Sequence, residues 1–169
     1  MPTHAETKSL PYSPDQMFDL VLDVERYPEF LPWCQSCTIV ARSDTMLMAN
    51  LVIGYKAFRE WFVSRVTYER PHAVRVEYIN GPLRYLSNTW DFTPNAKGGC
   101  NVDFYVDFEF KNVIFQKVMG VFFNEIVRRM VKAFEDRAHE LYGAKTPPKT
   151  SMKTSKPKSS TPPRKKETR

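Results

Sequence analysis

A chain of 169 residues with 42% apolar side chains has material for one domain with a real core, and not for two. Its net charge of +6 is unevenly held: Gly143 to Arg169 carry nine Lys or Arg against one acid, net +8, while the first 142 residues hold 16 bases and 18 acids, net −2. Overall basicity is therefore no argument for nucleic-acid binding by the domain, and no stretch approaches the roughly 20 unbroken apolar residues of a bilayer span.

The chain opens with an extended segment around His4 to Leu10. Ser13-Pro14-Asp15-Gln16 reads as a helix start, with a serine N-cap, proline at the first helical position and glutamine closing a capping box. The helix runs to about Leu22, with Met17, Phe18, Val21 and Leu22 on one side and Asp15, Asp19 and Asp23 on the other. Pro28 and Pro32 then break regularity, so Tyr27 to Trp33 is a short turn or loop rich in aromatic residues.

From Cys37 to Phe110 the texture is β-branched and aromatic, punctuated by turn formers at Ser43-Asp44, Gly54, Pro71, Gly81-Pro82 and Asn95 to Gly99, which predicts six strands. Val102, Phe104, Val106, Phe108 and Phe110 alternate with Asp103, Asp107 and Glu109, so one face is dry and the other wet. The same period sets Phe58, Phe62 and Val66 against Arg59, Arg65 and Thr67, and Leu86, Trp90 and Phe92 against Ser87, Thr89 and Asp91. A sheet with one apolar face needs a cover. Phe115 to Tyr142 supplies it as a helix about 40 Å long at 1.5 Å rise per residue. Its stripe is Met119, Phe122, Phe123, Ile126, Val127, Met130, Phe134, Ala138 and Leu141, and Gly143 is expected to end it in a left-handed cap. Beyond lies a Lys, Thr, Ser and Pro tail without aromatic residues, so the domain is drawn at 1–143 and residues 144–169 are expected to be a disordered basic tail.

Four segments carry a resemblance to a known family: VERYPEFLPWC (24–34), FVSRV (62–66), GPLRYLSNTWDF (81–92) and AFEDRAHELYG (133–143). Together they resemble the coenzyme Q-binding protein family, START-like domains of the polyketide cyclase and lipid transport superfamily that include the bacterial ribosome association toxins. The resemblance covers about Thr3 to Gly143 and leaves the tail outside. It implies an α+β helix-grip fold of START or Bet v 1-like type: a curved antiparallel sheet of about seven strands around a long C-terminal helix, enclosing a hydrophobic cavity. It also implies ubiquinone or a similar isoprenoid lipid as the bound ligand, with no cofactor required, in a carrier or chaperone role supporting respiration. Two alternatives come with it: a toxin-like inhibitor that binds the large ribosomal subunit and blocks subunit joining, and a cyclase-like enzyme.

Trp33, Phe62, Leu86, Asn88, Trp90, Val106, Phe108, Met119, Phe122, Phe123, Ile126 and Met130 are the candidate ligand-binding residues. The Met and Phe stripe offers adaptable apolar surface for an isoprenoid chain, although such a stripe is equally the pattern of plain core. Quinone carbonyls buried unpaired cost about 1–3 kcal/mol each, so the pocket should hold donors. Asn88 and Trp90 are the candidates, with Asn88 alternatively satisfying a neighbouring backbone group. Tyr27 to Trp33 reads either as a gate or membrane-touching lip, or as a rigid plug beneath the early helix.

Other chemistry finds little support. Cys34, Cys37 and Cys100 are odd in number in a chain without a recognisable export signal, which argues against a disulfide framework. The Cys34–Cys37 spacing leads into a strand, Thr38-Ile39-Val40, and not into the helix N-terminus a redox thiol needs; no second spaced pair completes a zinc site. Ser64, Ser87 and His72 lack a nucleophile context, and Glu60 is the nearest acid by strand face, with pairing to a neighbouring arginine as its plain role. The tail suits RNA or anionic lipid, or merely solubilises; nothing in the chain specifies DNA. The expected location is the cytoplasm, with transient peripheral contact at the inner membrane.

Overall fold

Seven antiparallel strands form one curved sheet, and the last helix lies across its apolar face. The computed structural model describes residues 3–55 and 57–143. In chain order the elements are β1 (Thr3–Leu10), α1 (Pro14–Leu22), a 3-10 turn (Val24–Arg26), α2 (Tyr27–Phe30), β2 (Cys34–Arg42), β3 (Met46–Tyr55), β4 (Phe58–Glu69), β5 (Ala73–Asn80), β6 (Leu83–Pro94), β7 (Cys100–Phe110) and α3 (Val113–Tyr142). The sheet order is β1-β7-β6-β5-β4-β3-β2, so the two chain-adjacent strands β1 and β2 end up as opposite edges. The short helices between them span the gap: α1 meets β5, β6, β7 and α3, and α2 meets β2 and α3.

Local chemistry explains the helix starts. The Ser13 hydroxyl accepts the Gln16 N–H at 3.1 Å, and the Gln16 side chain accepts the Ser13 N–H at 3.0 Å, which completes the capping box. At α3 the Asn112 side chain accepts the N–H groups of Ile114 and Phe115 at 2.9 and 3.1 Å. That cap starts α3 two residues before the expected Phe115.

Register places the inward residues in rows across the sheet. Leu47 pairs with Val66, Val66 with Val76, Val76 with Asn88 and Asn88 with Val106, and antiparallel partners share a face. On β7 Val102, Phe104, Val106 and Phe110 are buried, as the alternation predicts. The tightest core lies under α1, where the Phe18 ring meets Phe92 and Tyr68 edge-on at 6.1 Å each.

Three expectations need correction. Leu141 is 49% exposed, because the stripe of α3 has by then drifted off its neighbours; Phe123, Val127, Phe134 and Ala138 are the positions it buries. Gly143 does cap the helix, donating its N–H to the His139 carbonyl at 2.9 Å, but its backbone is extended (φ −61°, ψ 141°) and not left-handed. Glycine suits it for a different reason, since a Cβ there would collide with the His139 carbonyl oxygen. Third, β2 begins at Cys34, three residues earlier than expected. The tail reading, residues 144–169, lies outside the described residues.

Candidate functional site

Between the sheet and α3 is a cavity of about 240 Å³. That far exceeds the roughly 10–15 Å³ a single water requires, and an apolar lining keeps such a space dry and receptive to an apolar guest. Its walls come from every layer: Val21 and Val24 from the early helical segment, Leu51 and Ile53 from β3, Val76 from β5, Val106 and Phe108 from β7, and Met119, Ile126 and Met130 from α3.

Ten of the twelve candidate residues line this space: Trp33, Phe62, Leu86, Asn88, Trp90, Val106, Phe108, Met119, Ile126 and Met130. Phe122 and Phe123 do not. Phe123 is 2% exposed and packs on Phe108 at 5.3 Å, and Phe122 turns to Tyr55 at 6.3 Å. Residues on successive helical positions point about 100° apart, so a stripe three residues wide includes flanks that grip the sheet and do not face the void. The β3 wall was missed because MLMANLVIGY is apolar at both parities, and alternation cannot then choose the inward set.

The anticipated hydrogen-bond donors are largely engaged. Asn88 Nδ2 donates to the Tyr105 carbonyl at 2.8 Å, and Asn88 Oδ1 accepts from Trp90 Nε1 at 3.0 Å. Of the two readings of Asn88, the backbone-satisfying one is realised, and Trp90 has no second N–H to offer. Asn88, half-buried, keeps one amide hydrogen, and the Ser64 hydroxyl, 2% exposed, is a buried polar group on the same wall. A guest would thus be held mainly by apolar contact.

Tyr27 to Trp33 divides into two parts. The Tyr27 hydroxyl donates to the Val21 carbonyl at 2.5 Å, and the rings of Tyr27 and Phe30 stand edge-on to Phe134 at 5.4 and 5.2 Å. Arg137 ties the same segment to α3 through Glu29 at 2.6 Å and lies over the Phe30 ring at 5.5 Å. This half is a plug. Burial, then the nearby Cys37 and Cys34, holds the Tyr27 hydroxyl protonated far above its usual value. Trp33 instead lies near the other end, its carbonyl accepting the Gly54 N–H at 2.8 Å beside the β3–β4 connection.

Neither thiol of the Cys34–Cys37 pair is set up as a nucleophile. Burial pushes the Cys34 thiol up to about 11 and Cys37 up to about 12, opposite to what a reactive thiolate requires. Glu60 lines the cavity where it opens and is solvent-exposed. The expected arginine pairing is not found: Glu60 makes no ion pair among the described residues, because its cross-strand partner is Ile53. No helix among the described residues is long and apolar enough to cross a membrane.

A family model described as polyketide cyclase / dehydrase and lipid transport matches residues 10–135. The chain is 37% identical to the ribosome association toxin RatA of Rickettsia prowazekii, over 80% of this chain and 94% of that protein. It is 36% identical to the mitochondrial coenzyme Q-binding protein COQ10 homolog B of Xenopus laevis, over 86% of this chain but only 61% of that one. A solution structure of an 18 kDa protein from Caulobacter crescentus superposes with a TM-score of 0.69 at 33% identity, covering 85% of this chain and all of the other.

Proposed function

The chain belongs to the polyketide cyclase / dehydrase and lipid transport family, and from that premise we propose that it binds ubiquinone or a similar isoprenoid lipid in the cavity, without transforming it, as a carrier or chaperone for respiratory electron transport. The observation that carries this reading is the cavity itself: about 240 Å³ between sheet and helix, walled by aliphatic and aromatic side chains whose few polar atoms are mostly bonded to one another or to backbone. An isoprenoid chain asks for apolar area and shape tolerance, which Met119, Ile126 and Met130 provide. A carbonyl-bearing head finds the remaining Asn88 amide hydrogen and the Ser64 hydroxyl. The likeness to a protein named for coenzyme Q binding points the same way.

Organic-solvent extraction of the purified protein followed by mass spectrometry tests this directly. A co-purified quinone or prenyl lipid is the expected result, with saturable uptake on titration; an empty extract and no uptake would overturn it.

A second reading follows from the toxin relatives, since the likeness to the Rickettsia protein spans nearly its whole length. In that reading the chain binds the large ribosomal subunit and hinders subunit joining. Sedimentation of lysate at low salt separates the two, because absence from the large-subunit fractions removes the ribosomal role. The cyclase reading rests on the family description and on the exposed Glu60 of the cavity wall, which makes no ion pair with a described residue. Unchanged turnover of aromatic polyketide substrates in Glu60→Gln would leave it without support.

A further inference from the structure

The exposed residues of the cavity wall, Phe58 and Glu60, lie at the end of the domain where three connections meet, β3–β4, β5–β6 and β7–α3, which marks that end as its opening. Contacts join them there: Phe115 lies 4.6 Å from Phe58 and 4.4 Å from Phe110, ring to ring, and Lys111 donates from its ammonium to the Gly81 carbonyl at 3.0 Å and from its backbone to the Pro82 carbonyl at 2.9 Å. This end also concentrates exposed apolar surface. Among the described residues nine large apolar side chains are exposed; the first residues of β4, the end of β5 and the first three turns of α3 carry seven of them, and only Val40 and Leu141 lie elsewhere. The most exposed are Ile114 at 76% and Val121 at 78%.

The start of α3 is unusual in having two apolar faces. Phe115 and Met119 turn to the cavity, while Ile114, Val118 and Val121, spaced four and three residues apart, turn to solvent. Of the polar side chains between Val113 and Phe123, Gln116 accepts the Phe110 N–H at 2.8 Å, which leaves Lys117 outward. A helix segment apolar all round is ordinarily buried in something. Eleven residues rise only about 16 Å, far short of a bilayer's core, so the segment has the length to lie in an interface and not to cross it.

Charge separates along the same line. Residues 53–62, 79–84 and 109–121 hold five bases and two acids, net +3, which leaves −5 for the rest of the first 142 residues. One of the two acids, Glu109, already faces Arg84 at 3.2 Å. Arg59 and Lys117 are exposed and make no ion pair with a described residue.

We propose that this open end is a docking surface for an anionic lipid bilayer, seated on Ile114, Val118, Val121 and Phe58 with Lys117 and the strand-tip Arg59 against the headgroups. It rests on the isoprenoid-binding reading: a guest too apolar to cross water has to enter from lipid, and the rings of Phe58 and Phe115 belong at once to the cavity wall and to its rim. This places the membrane-touching lip at the β7–α3 end and not at Tyr27 to Phe30, which form the plug.

The test uses the full chain with two vesicle preparations, phosphatidylcholine alone and phosphatidylcholine mixed with phosphatidylglycerol, and a separate titration with a short-chain ubiquinone in detergent solution. The native protein should sediment with the mixed vesicles, less so as salt rises. The double variant Ile114→Asp, Val121→Asp should lower vesicle partitioning at least about tenfold while leaving quinone uptake in detergent unchanged. Lys117→Glu should weaken binding to the mixed vesicles and not to the neutral ones. Because every variant keeps the basic tail, undiminished vesicle binding by the double variant would assign the attachment to the tail or another face and overturn the proposal. So would absence of vesicle binding by the native chain, including the case in which the same double variant instead releases it from large ribosomal subunits. Failure of the quinone titration alone would strike the carrier reading, since the vesicle arm is read without ligand.

Discussion

The two halves of α3 carry similar side chains to different ends. From Val127 to Ala138 the helix meets rings and a plug: Phe134 is touched by Trp90 at 4.9 Å, Phe30 at 5.2 Å and Tyr27 at 5.4 Å, and is 4% exposed. From Val113 to Ile126 the packing is looser: Phe123 is buried on Phe108, but Phe115, Met119 and Ile126 line the cavity and are only half buried. Whether an apolar stripe becomes core or cavity wall is decided by what stands opposite. At one end α1, α2 and the Trp90–Phe104 pair stand against the helix, and at the other the cavity separates much of it from the sheet, bridged where Phe115 meets Phe58 and Phe110.

That contrast can be broken at its tightest point. Phe134→Ala should cost about 3–5 kcal/mol in urea denaturation, because three ring contacts vanish and the plug loses its seat; a loss below about 1 kcal/mol would mean that the closed end is not well packed. Raising pH probes the same end without mutation. Burial disfavours the thiolates of Cys34 and Cys37, so their folded-state values, about 11 and about 12, lie above the ordinary 9.0. Their contribution to stability is whole below about pH 9 and is lost as pH rises through 11 to 12. The urea midpoint should therefore fall across that window, and Cys37→Ala should flatten part of the decline.

The open end should respond in function more than in stability. Val76→Phe extends a half-buried wall residue into free space, so quinone uptake should drop about tenfold while the melting temperature holds or rises. A smaller effect is expected from Arg137→Gln, which removes the ties to Glu29 and the Phe30 ring at a cost of about 1 kcal/mol, because the Glu29 carboxylate is itself exposed to solvent. Smallest is Met119→Ala: with one side already facing a void, its loss should stay under about 1 kcal/mol, well below the cost of truncating a fully packed methionine.

Much of the fold was legible because its signals are local. The Ser13–Gln16 box lies within four residues, the alternation on β7 needs one strand, and the α3 stripe repeats along one helix. The candidate site was legible where a single face was apolar, as on β6 and β7, and illegible on β3, where both faces are. How Asn88 and Trp90 are engaged was illegible for a related reason: Trp90 donates to Asn88 two residues away, and the Tyr105 carbonyl on the neighbouring strand accepts from Asn88. No periodicity reveals a cross-strand hydrogen bond.

Seven strands, a capped early helix, a long final helix and the inward parity of most strands were determined by the order of residues alone, since each depends on propensity, capping and spacing within a short stretch of chain. The empty space, its plugged and open ends, the double-faced start of α3 and the gathering of three distant connections into one apolar, cationic rim were decided only by tertiary structure. Volume left unfilled and surface left uncovered depend on how elements far apart in the chain meet, and sequence spacing does not encode those distances.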